Sequence, residues 1–163
     1  MPQNPYWVRH CKVMLKIVTT IDELHIEELL RVYQEDILES ENSFISYLRE
    51  DFFHQKGSFY ALWVVSGQYK AALRMEPYND GLLLEALCTV PSERRKGYGY
   101  LLVAEVLKYL MIFPYKVVYS HIDKKNIASL KLHRKCGFRL FSEFARYIDG
   151  TVTQNSCTMY YEL

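Results

Sequence analysis

Pro91-Ser92-Glu93-Arg94-Arg95-Lys96-Gly97-Tyr98-Gly99-Tyr100-Leu101 stands between a near-continuous apolar run, Leu82 to Val90, and a helical one, Gly97 to Phe113. The apolar run is broken only by Glu85 and has the composition of a central strand buried on both faces. In the helical run Val103, Val106, Leu107 and Leu110 recur on one face, and Pro114 blocks continuation. The quoted segment is therefore a strand-to-helix turn. The first turn of a helix leaves backbone N–H groups unpaired and carries the positive end of its dipole, while glycines let a ligand approach the backbone closely. With Arg94, Arg95 and Lys96 beside Gly97 and Gly99, such a turn reads as an anion cradle whose donors a pyrophosphate would satisfy. A glycine-rich turn with solvated cations is the plainer alternative. No Gly-Lys-Ser/Thr follows at the spacing of a nucleotide-triphosphate loop, and the third glycine of a dinucleotide fingerprint is missing.

Working upstream, Asn79-Asp80-Gly81 is a turn signal, and Phe59 to Val65 and Tyr69 to Met75 are strand-forming runs joined by Ser66-Gly67. Val13 to Val18 suits an opening strand, and Thr20-Ile-Asp-Glu23 has the spacing of a capping box, so a helix is expected after it. Leu29, Leu30, Tyr33 and Ile37 would share its face. The polar run Glu39 to Ser43 separates it from a second helix, where Phe44, Tyr47, Leu48 and Phe52 align before Gly57. Downstream, Lys116 to Ile122 alternates as a strand, Asn126 to Lys135 reads as a short helix closed by Gly137, and two closing strands, Arg139 to Ile148 and Thr153 to Glu162, flank Asp149-Gly150. The order is strand, two helices, three strands, helix, strand, helix, two strands.

The length of 163 residues, half of them apolar, predicts one α/β domain over 13–163, with residues 1–12 as a loosely attached extension. A formal net charge of +1 provides no field to hold nucleic acid or an anionic membrane. Arg9, Lys12 and Lys16 interrupt the start, so neither a secretory signal nor an anchor is expected. Cys11, Cys88, Cys136 and Cys157 are scattered without a Cys-x-x-Cys pair, which fits free thiols in the cytoplasm. His133 and Cys136 lie one helical turn apart, too few ligands for zinc, and no metal is expected.

Two motifs in order carry a family resemblance. Arg94-x-x-Gly97-x-Gly99 resembles the pyrophosphate-binding motif of the GNAT acetyltransferases, and Asn126-Ile-Ala-Ser129-Leu-Lys-Leu-His133-Arg-Lys-Cys-Gly137-Phe138 is similar to that family's Asn-x-x-Ala-x-x-x-Tyr-x-x-x-Gly-Phe segment. The resemblance implies the GNAT fold: a mixed, mostly antiparallel sheet of about seven strands, splayed at a bulge and flanked by about four helices. It implies acetyl-CoA as acyl donor and a small-molecule or peptide primary amine as acceptor. Leu87, Cys88 and Thr89 would bond the pantetheine arm, with an N–H of Leu87 or Cys88 facing the thioester oxygen. Arg94, Arg95, Lys96, Gly97, Tyr98, Gly99 and Tyr100 would cradle the phosphates, and Asn126 would bond the cofactor arm while capping its own helix.

His133 occupies the place of the family's tyrosine, which is taken to protonate the departing thiolate. An imidazolium can do that work, although with an ordinary pKa only about a quarter of it is present at pH 7. Strand alternation puts Glu85 on the same face as Leu87 and Thr89, where it resembles the general base of several branches; a structural partnership with an arginine or lysine is the alternative. Peptide-acetylating branches often place a glutamate five residues before the asparagine. Here that position holds His121, which weakens a peptide acceptor and offers either a substitute base or a sheet residue. Glu35, Asp36, Glu39 and Glu41 read as a solvated polar stretch near the acceptor side, and Lys131, Arg134 and Lys135 as a solvated face. Cys88 is read as a backbone contact and not as an acyl-cysteine. The expected activity is acetyl transfer to a primary amine by direct attack; the rivals are an acyl-CoA-binding sensor without turnover and an interaction domain without cofactor. Exposed edges of the closing strands could pair two copies.

Overall fold

In the computed structural model, which describes residues 12–37 and 40–163, a seven-stranded mixed sheet runs in the order β1-β2-β3-β4-β5-β9-β6. Its strands are β1 (Val13–Val18), β2 (Phe59–Val65), β3 (Gln68–Tyr78), β4 (Gly81–Thr89), β5 (Val117–Asp123), β6 (Arg139–Ser142) and β9 (Ser156–Glu162). All neighbours are antiparallel except β4 and β5. That one parallel pair needs a crossover, which α3 (Tyr98–Leu110) supplies. The expected sheet and the four helices are present. The expected N-terminal extension lies outside the described residues apart from Lys12, as do Arg9, Cys11 and Glu39.

Each face of the sheet is covered. Leu102, Val103, Val106, Leu107 and Leu110 of α3 and Leu130 of α4 (Ile127–Lys135) bury against Ala61, Leu73, Met75, Leu82, Leu84 and Val118. Each such side chain contributes about 1.5–3 kcal/mol when removed from water. The other face packs Leu29 and Val32 of α1 (Ile26–Val32) and Leu48 of α2 (Glu41–Glu50) against Tyr60, Leu62, Val64 and Ala72.

Two local expectations are corrected. The first helix does not start from a capping box: Thr20 Oγ1 donates to Glu23 Oε1 at 3.0 Å, side chain to side chain, and Ile21–Glu23 forms only a 3-10 turn before α1 begins at Ile26. The side chains satisfy each other and leave the backbone donors uncapped. The closing hairpin is also interrupted. Arg139 to Ile148 divides into β6 and β7 (Ala145–Arg146), and β7 pairs with β8 (Val152–Thr153) as a separate two-stranded ribbon. Ser40, by contrast, caps α2 properly, its hydroxyl accepting from Ser43 N at 3.1 Å.

Candidate active site

The site begins at an irregularity in β4. Ala72 pairs with Cys88 and Arg74 with Glu85, so Ala86 and Leu87 together oppose Leu73, and Ala86 has a φ of 50°. This is a β-bulge, which bends the strand and inserts one residue into its alternation. The expected common face of Glu85, Leu87 and Thr89 is thereby overturned. Leu87 packs on the α3 side, Thr89 Oγ1 lies beside Gly99, and Glu85 is turned to the α1–α2 side, paired with Arg74 at 3.7 Å.

The bulge also ends the pairing with β5. Leu82, Leu83 and Leu84 are the β4 residues that register with β5, opposite Val118, Tyr119 and Ser120, and past them the strands diverge. Val90 N donates to Lys70 O at 3.0 Å, so Val90 faces β3. By alternation Cys88 faces β3 as well, whereas Leu87 and Thr89 turn their backbone groups to the gap. Tyr33, at the end of α1, pins this shape: its hydroxyl donates to Ala86 O at 2.7 Å. Tyr33→Phe is expected to cost about 1–2 kcal/mol of stability, from the stranded carbonyl, and to lower kcat/KM several-fold by loosening the bulge. Urea unfolding beside steady-state kinetics checks both.

At the far end of β4 the chain turns into α3 through Arg95 at φ 69° and Gly97 at φ 85°. A left-handed arginine costs roughly 1 kcal/mol. A cavity of about 540 Å³ follows, lined by Leu87, Cys88, Thr89, Arg94, Arg95, Gly97, Tyr98, Gly99, Tyr100 and Asn126. Asn126 caps α4, its Oδ1 accepting from Ser129 N at 3.0 Å, which leaves its amide N–H groups for a ligand. Of the expected cradle, Lys96 is not among the lining residues and instead lies 3.7 Å from Glu93. A second cavity of about 460 Å³, lined by Tyr33, Asp36, Ile37, Phe44, Tyr47, Arg74 and Ala86, shares Leu87 and Cys88 with the first. The two meet at the bulge.

Sequence reasoning missed three contributors. Tyr33 was expected only as a core position, Arg74 was not singled out, and Asp36 was read as solvated. Asp36 lines both cavities, and Arg94 reaches it at 3.4 Å and Glu35 at 2.9 Å. Arg94, the arginine of the expected pyrophosphate motif, is thus held by two carboxylates. No local signal marks Tyr33 or Arg74.

The candidate titrating groups differ in environment. Burial, then the nearby Glu76, raises the Glu85 carboxyl above its usual range, with Arg74 opposing. Burial, then the hydrogen bond to Asp36, pushes the Cys88 thiol up to about 12, which keeps it protonated and a poor nucleophile. His133 is only 1% exposed, stacks edge-on against Phe138 at 5.0 Å, and presents Nδ1 to Ser129 O at 2.8 Å. That carbonyl can only accept, so the proton sits on Nδ1 and Nε2 carries the lone pair. Burial lowers the His133 pKa, so the imidazolium required of the expected acid is disfavoured. His121 bonds Thr158 Oγ1 through Nδ1 at 2.9 Å and stacks between Tyr78 and Tyr147, as a sheet residue does. Lys135 lies over the Tyr100 ring at 4.4 Å, beside the cradle.

A search of the curated proteins finds no match. Among solved structures, the chain is similar to an IAA acetyltransferase from Bacillus cereus (15% identity, 93% of this chain and 100% of that one, TM-score 0.67). It is similar to the ribosomal-protein-S18-alanine N-acetyltransferase from Escherichia coli (17%, 91% and 94%, TM-score 0.66). It is also similar to a spermidine N-acetyltransferase from Vibrio cholerae (15%, 92% and 93%, TM-score 0.70). At these identities the likeness is one of fold. The family model described as "Acetyltransferase (GNAT) family" matches residues 23–138, which span both cavities and both motifs, and the chain belongs to that family of acetyltransferases.

Proposed function

We propose that the chain moves acetyl from acetyl-CoA to a primary amine by direct attack, with donor and acceptor bound together on either side of the β4 bulge. The observation that carries this reading is the meeting of two cavities at Leu87 and Cys88. The larger one has what the acyl donor needs: a left-handed turn and helix N-terminus for pyrophosphate, and free strand edges for the pantetheine amides. It therefore fits acetyl-CoA, held by Leu87, Thr89, Arg94, Arg95, Gly97, Tyr98, Gly99, Tyr100 and Asn126. The Leu87 N–H, aimed into the gap, is the donor for the thioester oxygen as charge develops on it.

Glu85 takes the proton of the attacking ammonium, directly or through water, from the acceptor side of the sheet. Its raised pKa suits that duty, because a base whose pKa approaches the working pH both ionises and accepts well. His133 has no proton to spare in its neutral Nδ1–H form, so the thiolate leaves toward solvent without it. Its place is structural, on the buried face of α4.

That same neutral, buried imidazole favours one rival, an acyl-CoA-binding module without turnover. CoA release over a panel of primary amines from pH 6 to 9, beside calorimetric titration of acetyl-CoA, separates the two. Amine-dependent release is expected. Binding without release from any amine would support the sensor, and no binding would sink the donor site itself.

A further inference from the structure

Arg74 is placed where a structural arginine is poorly served. It projects from β3 into the smaller cavity, stacked over the rings of Tyr47 at 5.2 Å and Phe52 at 5.7 Å. Its nearest carboxylate, Glu85, stands 3.7 Å away, beyond hydrogen-bond length. Among the described residues its side chain donates no hydrogen bond, and its Nε is buried without a partner. Buried donors are almost always satisfied, and a guanidinium presents a rigid fork matched to a carboxylate.

We infer that Arg74 anchors a carboxylate of the acceptor, which makes the substrate class a small amino acid with an apolar or aromatic side chain. This rests on the transferase reading above. The rest of the cavity supports the class: Tyr33, Ile37, Phe44 and Tyr47 provide an apolar wall, and about 460 Å³ suits a molecule of amino-acid size. The strand register puts Arg74 one position from Leu73, which faces the bulge. Arg74 and the bulge residues Ala86 and Leu87 line the same cavity, so one small molecule can present its carboxylate to the first and its amine to the second. Glu85, on the neighbouring strand, stands 3.7 Å from the Arg74 guanidinium and lines a further cavity that shares Tyr47 with this one. A carboxylate on Arg74 would also neutralise the cation that opposes the rise in the Glu85 pKa, which makes Glu85 a stronger base when the acceptor is present.

The test is a set of matched acceptors: L-phenylalanine, its carboxamide and phenethylamine, then L-leucine and isopentylamine, each read as kcat/KM for CoA release. Sites that hydrogen-bond a substrate group reject analogues lacking it, so the acids should exceed their partners by at least about tenfold. In Arg74→Gln that ratio should fall to about one, and in Arg74→Lys, which keeps the charge without the fork, to an intermediate value. Unchanged acetyl-CoA affinity and circular dichroism verify folding; should R74Q fail them, R74K and the wild-type ratio decide. Equal turnover of acid and decarboxylated amine, preference for a diamine, or a ratio that survives in R74Q would overturn the anchor while leaving the transferase intact. If no amine releases CoA, titrating N-acetyl-phenylalanine against N-acetyl-phenethylamine into the CoA-loaded protein still reads the anchor: tighter binding of the acid upholds it, and equal binding overturns it.

Discussion

Glu85→Gln is expected to lower kcat/KM for any accepted amine by about 10²- to 10⁴-fold, the usual contribution of a positioned general base. Gln keeps the shape and removes the lone charge that can take a proton. The pH profile gives the second signature. Glu85 works only when ionised, and burial raises its pKa, so the wild-type rate climbs as pH passes through that raised value, over and above the acceptor's own ionisation. E85Q should lack this limb. The linkage to stability has the opposite sense: a carboxyl with a raised folded pKa contributes stability below its unfolded value, and this is lost as pH rises through the folded value. E85Q carries no charge to bury and should flatten that part of the pH–stability curve. A loss of less than about tenfold, with the limb retained, would move the base elsewhere.

Gly81→Ala should cost about 3 kcal/mol or more, which lowers Tm by about 6–12 °C in a chain of this size. A Cβ at Gly81 would lie 2.1 Å from the carbonyl oxygen of Val117 and 2.7 Å from its Cγ1. The obstacle is backbone and cannot swing away. Relief requires β5 to retreat from β4 at the end where Leu82 meets Val118, the start of their short parallel pairing. Because the proposed donor cleft is the divergence of these two strands, the loss should extend to acetyl-CoA affinity. Differential scanning calorimetry with and without acetyl-CoA measures both. A variant of wild-type stability would mean that the strands are not in this contact.

Much of the scaffold was legible because it is written in short-range chemistry. The Arg94-to-Gly99 turn needs only neighbouring residues to define it, and the α3 stripe needs only a period, so both are legible in the sequence. Hairpin turns at Ser66-Gly67 and Asn79-Asp80-Gly81 were legible for the same reason: Ser66, Gly67 and Asn79 all take positive φ, as their residue types allow. The helix start failed because Thr20 and Glu23 had each other as partners, which a spacing rule does not foresee.

The site was less legible, and the bulge explains why. One inserted residue at Ala86 reverses the face of everything before it relative to everything after it, and nothing in Leu82 to Val90 announces the insertion. It sent Glu85 to the α1–α2 side of the sheet and left Leu87 on the α3 side. Tyr33 and Ala86 are 53 positions apart, and Arg74 gains its cavity from α1, α2 and β4 at once. The burial of His133 likewise depends on Phe138 closing over it beyond the end of α4.

By itself the sequence determined the order of elements up to the closing strands, the strand-to-helix turn and the family, since periodicity, glycine positions and cation spacing act over a few residues. Only the tertiary structure decided which face Glu85 presents, how deeply His133 is buried and what surrounds Arg74. Those properties are set by cross-strand register and by desolvation, and both come from residues distant in the chain.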